Sequence, residues 1–277
     1  MIKFVIAVVL TAISFVAQAN AFAQEKFRVA SGGFSTAIHG VVWAAYERKL
    51  FQKYGLDGEY LALESGTPAM QALLANEIQI VFTTGALGIT ANLQGADTTI
   101  IAGGINFIPN KLLVRPDIKR TEDLKGKRIA ISRFGSASDY ATQVALEKLG
   151  VNPKDVTIVQ VGGNATRLAA LANNTIQATL LAEPLTTIGA RQFKLNSLID
   201  LAESGVPFPQ NCFLVRRGYL EANRAKIVNA MKAIIEGYFL LKNDKGLALQ
   251  LIKNTTAWAR KTPVLATITI SPNTVTA

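Results

Sequence analysis

From Lys26 onward the chain alternates short apolar runs with longer stretches whose apolar residues recur at helical spacing. Phe27 and Val29 alternate with polar neighbours and run into Ser31-Gly32-Gly33, a strand that ends in a flexible loop. A helix over Thr36–Tyr54 follows, with Val42, Ala45, Leu50 and Phe51 toward a core, and Gly55 closes it. The strand Glu59–Leu63 leads to Glu64-Ser65-Gly66-Thr67-Pro68, where Thr67 reads as an N-cap and Pro68 as the first position of the helix Ala69–Ala75. The strand Ile78–Phe82 ends at Thr83-Thr84-Gly85. A helix over Leu87–Gln94 and a strand over Thr99–Ala102 complete the first half.

The stretch Asn110–Asp139 predicts a passage to a second half: a strand at Leu112-Leu113-Val114, a turn at Pro116-Asp117, and a helical turn capped by Thr121. A second strand, Arg128–Ser132, then meets the loop Arg133-Phe134-Gly135-Ser136. The same grammar repeats beyond it. A helix carries Ala141, Val144, Ala145 and Leu149 on one face. The strand Val156–Val161 ends in Gly162-Gly163-Asn164, with Asn164 as an N-cap, and Ala178–Leu181 ends in Glu183-Pro184, where Pro184 opens a helix. Strands alternating with helices predict an α/β fold with mostly parallel sheets and right-handed crossovers.

Two echoes suggest two related halves. ALLANEIQI (Ala72–Ile80) and ALANNTIQA (Ala170–Ala178) place a helix end, a polar turn and a strand start in one order. Leu113-Val114-Arg115 and Leu214-Val215-Arg216 read as paired crossings between halves. After the return, Tyr219–Leu241 predicts a long helix with Ile227, Ala230, Met231, Ile234, Tyr238 and Leu241 on its buried face. A shorter helix is predicted over Lys245–Lys253, and beyond Asn254 no acidic residue occurs.

The 277 residues are 49% hydrophobic, enough for one large domain or two modest ones. The first 23 residues read as a signal peptide: Lys3, the apolar run Phe4–Val16, then Ala21-Phe22-Ala23 as a cleavage site before Gln24. That predicts export to the periplasm. The net charge is +10, or +9 once Lys3 leaves with the leader. The basic residues lie scattered among acids without aromatic interleaving, which argues against nucleic acid as a partner. Cys212 is the single cysteine, so no internal disulfide forms, and its apolar neighbours predict a buried, inert thiol.

Three segments carry a family resemblance: LFQKYGLDGEYLALESGTPAMQALLANEIQI, VRPDIKRTEDLKGKRIAISRFGSASD and ALEKLGVNPKDVTIVQVGGNATRLAALANNTIQATLLAEP. Over roughly residues 26 to 250 the chain resembles substrate-binding proteins of ABC importers of the nitrate/sulfonate/taurine type. These are a branch of the two-lobed periplasmic binding proteins, and some relatives bind thiamine precursors. The resemblance implies an α/β fold of two lobes. Residues 24–104 and 210–277 would form lobe one and 105–209 lobe two, with Leu113–Arg115 and Leu214–Arg216 as hinge strands. It further implies a monomer without cofactor that closes on a small-molecule ligand and docks on an inner-membrane ABC permease. Relatives continue in further helices where this chain has its tail from 254.

The family's cleft loops would fall on Gly33-Phe34-Ser35, Ser65-Gly66-Thr67, Thr83-Thr84-Gly85, Phe134-Gly135-Ser136, Gly163-Asn164 and Glu183. The residues agree with this, because open α/β sheets bind ligands beyond the carboxyl ends of their strands. Ser35, Ser65, Thr67, Thr83, Thr84, Ser136 and Ser138 mark helix starts that would together aim partial positive charge at one cleft and favour a carboxylate, sulfonate or phosphate-like group. His39 is a ligand contact or a capping residue, and Trp43 a stacking surface or core. Arg133 is a bidentate contact or a solvated side chain, and Glu183 a ligand acceptor or a contact between lobes. One histidine without cysteine partners cannot build a metal site. The chain has no G-x-S-x-G, H-E-x-x-H or P-loop. An enzyme on the same scaffold, making thiamine pyrimidine or dehydrating chorismate, is the alternative; a ligand-presenting sensor partner is a third.

Overall fold

Residues 26–33 and 36–251 are described in the computed structural model; the predicted signal peptide, Phe34, Ser35 and the atypical tail lie outside them. The strands are β1 (Phe27–Gly32), β2 (Gly58–Leu63), β3 (Ile80–Thr83), β4 (Thr98–Phe107), β5 (Lys111–Val114), β6 (Arg128–Ile131), β7 (Thr157–Gln160), β8 (Ala178–Leu181), β9 (Asn196–Asp200) and β10 (Pro207–Arg216). They form two five-stranded sheets, ordered β2-β1-β3-β10-β4 and β7-β6-β8-β5-β9. In each sheet three strands pair in parallel and the fourth in the row, β10 or β5, is antiparallel to both its neighbours. Four strands of five therefore run one way in both sheets. The protein is a two-lobed α/β structure with the same strand plan used twice.

The helices are α1 (Thr36–Glu47), α2 (Leu50–Lys53), α3 (Gly66–Leu74), α4 (Gly85–Leu93), α5 (Ala137–Lys148), α6 (Asn164–Ala172), α7 (Leu185–Phe193), α8 (Arg217–Ala222) and α9 (Arg224–Asn243), with a further helical turn pair at 245–251. None of the helices among the described residues is long and apolar enough to cross a membrane. Each sheet buries both faces. Phe27, Val29, Phe51, Phe82 and Phe213 form one core of the first lobe, with Phe82 and Phe213 stacked at 4.3 Å. Ala30, Leu73, Val81 and Leu214 form the core on its other face. In the second lobe, Leu112, Ile129 and Leu180 lie on one face and Leu113, Leu168 and Leu181 on the other. Apolar residues buried on both sides explain why these strands read as continuous hydrophobic runs.

The internal echo is structural. Both ALLANEIQI and ALANNTIQA end a helix, turn at an asparagine in the left-handed region (Asn76 φ 63°, Asn174 φ 60°) and start β3 or β8. In both, a glutamine accepts an N–H from the first-strand arginine: Arg28 N to Gln79 Oε1 at 2.6 Å, and Arg128 N to Gln177 Oε1 at 3.1 Å. Asparagine tolerates the left-handed turn better than most residues.

Several boundaries differ from the sequence reading. The first helix breaks at Lys49, whose φ is 54°, into α1 and α2. The helix expected from Ala69 starts earlier, at Gly66, with Ser65 rather than Thr67 at the N-cap. Thr121 opens a 3-10 turn whose cap position is Arg120, with the Asp123 carboxylate taking the Lys119 and Arg120 N–H groups. Gly163, not Asn164, is the N-cap of α6. The long C-terminal helix divides at Asn223 into α8 and α9, and on α9 Gly237 packs against Val41 and Ala45 while Tyr238 is 48% exposed. The strand β9 carries no clear sequence signal. The crossings also lie elsewhere. Leu113 is central to the second sheet, between β8 and β9, and Leu214 is central to the first, pairing with Val81. The chain leaves the first sheet after Phe107 and returns at Pro207, which pair with each other, and the β4/β10 ladder is irregular between Pro207 and Asn211.

Tyr60 on β2 places its hydroxyl 2.5 Å from Ser31 Oγ, and burial pushes its phenol up to about 12. The folded value exceeds the unfolded one of about 10, so this contribution to stability is complete below the unfolded value and is lost as pH rises toward the folded one. Tyr60→Phe is expected to flatten the alkaline fall of the urea midpoint. An identical fall in wild type and variant would show that other groups cause it.

Candidate functional site

The carboxyl ends of β1, β2, β3, β6, β7 and β8 meet where the lobes face each other, and a cavity of about 60 Å³ lies there. The first lobe lines it with Gly32, Gly33, His39, Glu64, Ser65, Gly66, Thr83 and Thr84. The second adds Ser132, Ser136, Ser138, Asn164, Arg167 and Ala182, and Asn110, Gln210 and Asn211 come from the two crossings.

Close packing shapes the first-lobe wall. A Cβ on Gly32 would land on Gly66 Cα and 2.8 Å from both Gly66 N and Thr83 Oγ1. The end of β1, the start of α3 and Thr83 therefore touch through glycine alone. The helix starts facing the cavity, at Ser65, Ser136 and Gly163, carry no side-chain cap bond. Their first-turn N–H groups are the ready donors of a helix N-terminus. Three hydroxyls on the other wall, Ser132, Ser136 and Ser138, lie at 2.9 Å from one another. Hydroxyl hydrogens rotate, so this triangle can re-aim a donor at an acceptor placed beside it. Ser65 Oγ, Asn110 Oδ1, Gln210 Oε1 and Asn211 Oδ1 are buried with no hydrogen-bond partner, although all four residues line the cavity. Buried polar atoms of that kind call for a partner.

Arg167 is the group sequence reasoning missed. It is 2% exposed, on the α6 face shared with Leu168 and Leu171. Its Nε donates to Gly162 O at 3.2 Å, and its Nη1 to Thr179 Oγ1 at 2.9 Å and Leu180 O at 2.8 Å; Nη2 donates to Asn164 Oδ1. Thr179 Oγ1 in turn donates its own hydrogen bond to Ala130 O at 2.8 Å. Four of the five guanidinium N–H groups are thus held by neutral acceptors, and among the described residues no carboxylate pairs with it. Burial holds its pKa down, at about 10. The signal was available: an arginine at the apolar positions of a helix is not on a solvated face.

The structure sorts the predicted residues. It brings Gly33, His39, Ser65, Gly66, Thr83, Thr84, Ser136 and Asn164 to the cavity, and Phe34 and Ser35 lie outside the described residues. His39 is buried edge-on to Phe82 at 5.8 Å. The others do not line it. Thr67 sits within the first turn of α3, and Gly85 packs near Pro209 and Cys212. Phe134 is 57% exposed. The loop that carries it spends its N–H groups locally: Phe134 N on Gln160 Oε1 at 2.9 Å and Gly135 N on Asp139 Oδ2 at 2.8 Å. Gly163, the N-cap before cavity-lining Asn164, faces Glu64, whose Cγ and carbonyl oxygen lie 3.9 Å from where its Cβ would be. Glu183 Oε2 accepts Thr187 N at 3.2 Å and Thr187 Oγ1 at 2.8 Å, so its carboxylate serves the start of α7. Trp43 is core, against Tyr60, Leu247 and Leu251. Burial pushes the Cys212 thiol up, in keeping with an inert buried group. Arg133 does not line the cavity itself: half-exposed beside it, its Nη2 meets the cavity-lining Glu64 Oε2 across the lobes at 3.4 Å.

A family model described as NMT1/THI5 like matches residues 36–246, most of the chain and both cavity walls. The chain belongs to the NMT1/THI5-like family. Two of the curated relatives of this NMT1/THI5-like chain illustrate the likeness. A Brucella abortus (strain 2308) protein, provisionally named a binding protein, is 28% identical over 196 residues, 69% of this chain and 59% of its own length. The Escherichia coli (strain K12) taurine-binding periplasmic protein is 23% identical over 205 residues, 73% of this chain and 63% of its own. The chain thus spans about three-fifths of the length of the curated relatives it matches. Among solved structures, the alkanesulfonate-binding protein SsuA from Xanthomonas axonopodis pv. citri, bound to MOPS, superposes with a TM-score of 0.73 at 19% identity, covering 84% of this chain and 79% of that one. The periplasmic nitrate-binding protein NrtA from Synechocystis PCC 6803 gives 0.68 at 15%, covering 82% and 65%. These likenesses establish the periplasmic binding protein fold for this NMT1/THI5-like chain.

Proposed function

We propose that the chain is the periplasmic solute-binding component of an ABC importer, and that it captures a small organic or inorganic anion by closing two lobes over it. The observation that carries this reading is Arg167: a buried guanidinium at the seam, with neutral acceptors and no counter-ion among the described residues. Burying a charge is costly unless something opposite meets it, and a bound anion would supply that partner. The uncapped helix starts and the serine triangle add donors suited to a nitrate, sulfonate or carboxylate group. The space, about 60 Å³, suits a compact ligand. Relatives named for taurine, alkanesulfonate and nitrate support the class. Delivery to an inner-membrane permease follows from the same kinship.

Binding without turnover is the reading here, supported by relatives and neighbours named as taurine-, alkanesulfonate- and nitrate-binding proteins. Ligand from both lobes would favour the closed arrangement in proportion to its differential contacts. A thermal-melt panel of nitrate, methanesulfonate, taurine and acetate tests the proposal. At a hundred times Kd, one of them should stabilise by about 2.7 kcal/mol, a rise of roughly 5–10 °C. A panel in which only neutral or cationic solutes raise the melting temperature would sink the anion reading.

A further inference from the structure

Glu64 is the one carboxylate among the described residues that lines a cleft otherwise furnished for negative charge. Its Oε2 stands 3.4 Å from Arg133 Nη2 on the facing lobe. Its Oε1 lies against Gly162, where any Cβ would strike it. The carbonyl of that same Gly162 accepts Arg167 Nε at 3.2 Å. A carboxylate and a guanidinium thus bear on one backbone unit from two sides without pairing. Asp139, the nearest other acid along α5, turns its Oδ2 to Gly135 N at 2.8 Å and does not line the cavity. The charged side chains lining the cavity are therefore Arg167 and Glu64, and Arg133, half-exposed and outside the lining, stands against Glu64, so the three together carry one positive charge in excess.

We propose that Glu64 makes the cleft selective for singly charged anions over doubly charged ones of equal size. This rests on the anion reading above. The cost of taking an ion out of water grows with the square of its charge, whereas its attraction to fixed charges grows only in proportion. Glu64 subtracts from the attraction. A monoanion cancels the single excess charge, but a dianion carries fourfold the desolvation cost and leaves the site negative. A carboxylate that merely held the lobes together would have no such preference.

Methanesulfonate and sulfate are a matched pair, close in size and differing by one charge. Titration calorimetry of both against the purified full chain, Glu64→Gln and Arg133→Gln decides the matter. Wild type should prefer methanesulfonate. Glu64→Gln should strengthen sulfate about twice as much, on a logarithmic scale, as methanesulfonate, narrowing their ratio by roughly tenfold. Arg133→Gln breaks the same contact between lobes but removes a positive charge, so the ratio should widen. Equal weakening of both anions by both variants would mean that Glu64 acts only as a latch, and would overturn the proposal while leaving the anion reading in place. Failure of wild type to bind methanesulfonate, sulfate or nitrate would overturn both.

Discussion

Arg167→Met is expected to lower affinity for the preferred anion at least a hundredfold while leaving a folded protein. Hydrogen bonds to a charged group and the pairing of a buried charge together reach about 3 kcal/mol or more, which is the size of that loss. The unliganded protein should change far less. Burial takes the guanidinium pKa from 12.5 to about 10. For a base, a depressed folded value means that the charged form is penalised by folding at every pH below it, by roughly 3 kcal/mol. Methionine removes that penalty but strands Gly162 O, Thr179 Oγ1, Leu180 O and Asn164 Oδ1. The two effects oppose each other, so the melting temperature without ligand should fall by less than the stranded acceptors alone, at about 1–3 kcal/mol each, would bring. The sharp readout is the ligand-induced rise, which should disappear. Arg167→Lys keeps the charge and loses the fork, and should recover part of it. An unchanged dissociation constant in Arg167→Met would remove the central support for an anion site.

Gly32→Ala is expected to destabilise the protein by about 3 kcal/mol, the upper range for forcing atoms into a packed interior. The added methyl would meet backbone, Gly66 Cα and N, as well as Thr83 Oγ1, and backbone cannot rotate aside. The start of α3 would have to move, so Ser65 and Gly66 would leave the cavity wall and binding should weaken as well. Gly163→Ala provides the contrast: its φ is −61° and the nearest foreign atoms to a Cβ lie 3.9 Å away. Urea midpoints for the two variants should differ clearly. If Gly32→Ala unfolds within about 1 kcal/mol of wild type, the glycine contact is not as tight as the geometry states.

Much of this architecture was legible because parallel strands buried on both faces appear as apolar runs, and because glycine, asparagine and proline mark their ends. The loops after β1, β2 and β3 were found that way, and Asn76 and Asn174 gave away the duplicated helix–turn–strand unit. Other features depend on contacts between distant segments. The crossing at Phe107 and Pro207 is set by pairing a hundred residues apart, so the local Leu-Val-Arg repeats pointed to the wrong places. Phe134, Gly135 and Glu183 stood in loops of the right kind, yet Gln160, Asp139 and Thr187 had already claimed their polar groups. Arg167 was passed over because arginine on a helix usually faces water, although its place among Leu168 and Leu171 marked the buried face.

All four acceptors that fix Arg167 belong to the second lobe. An incoming ion would therefore meet its charge partner fully set before the other jaw arrives. Encounter would depend on that lobe alone, and residence time on how quickly the first lobe swings away. Changes confined to Gly32, Ser65 or Thr83 would then shorten the bound lifetime and spare the association rate.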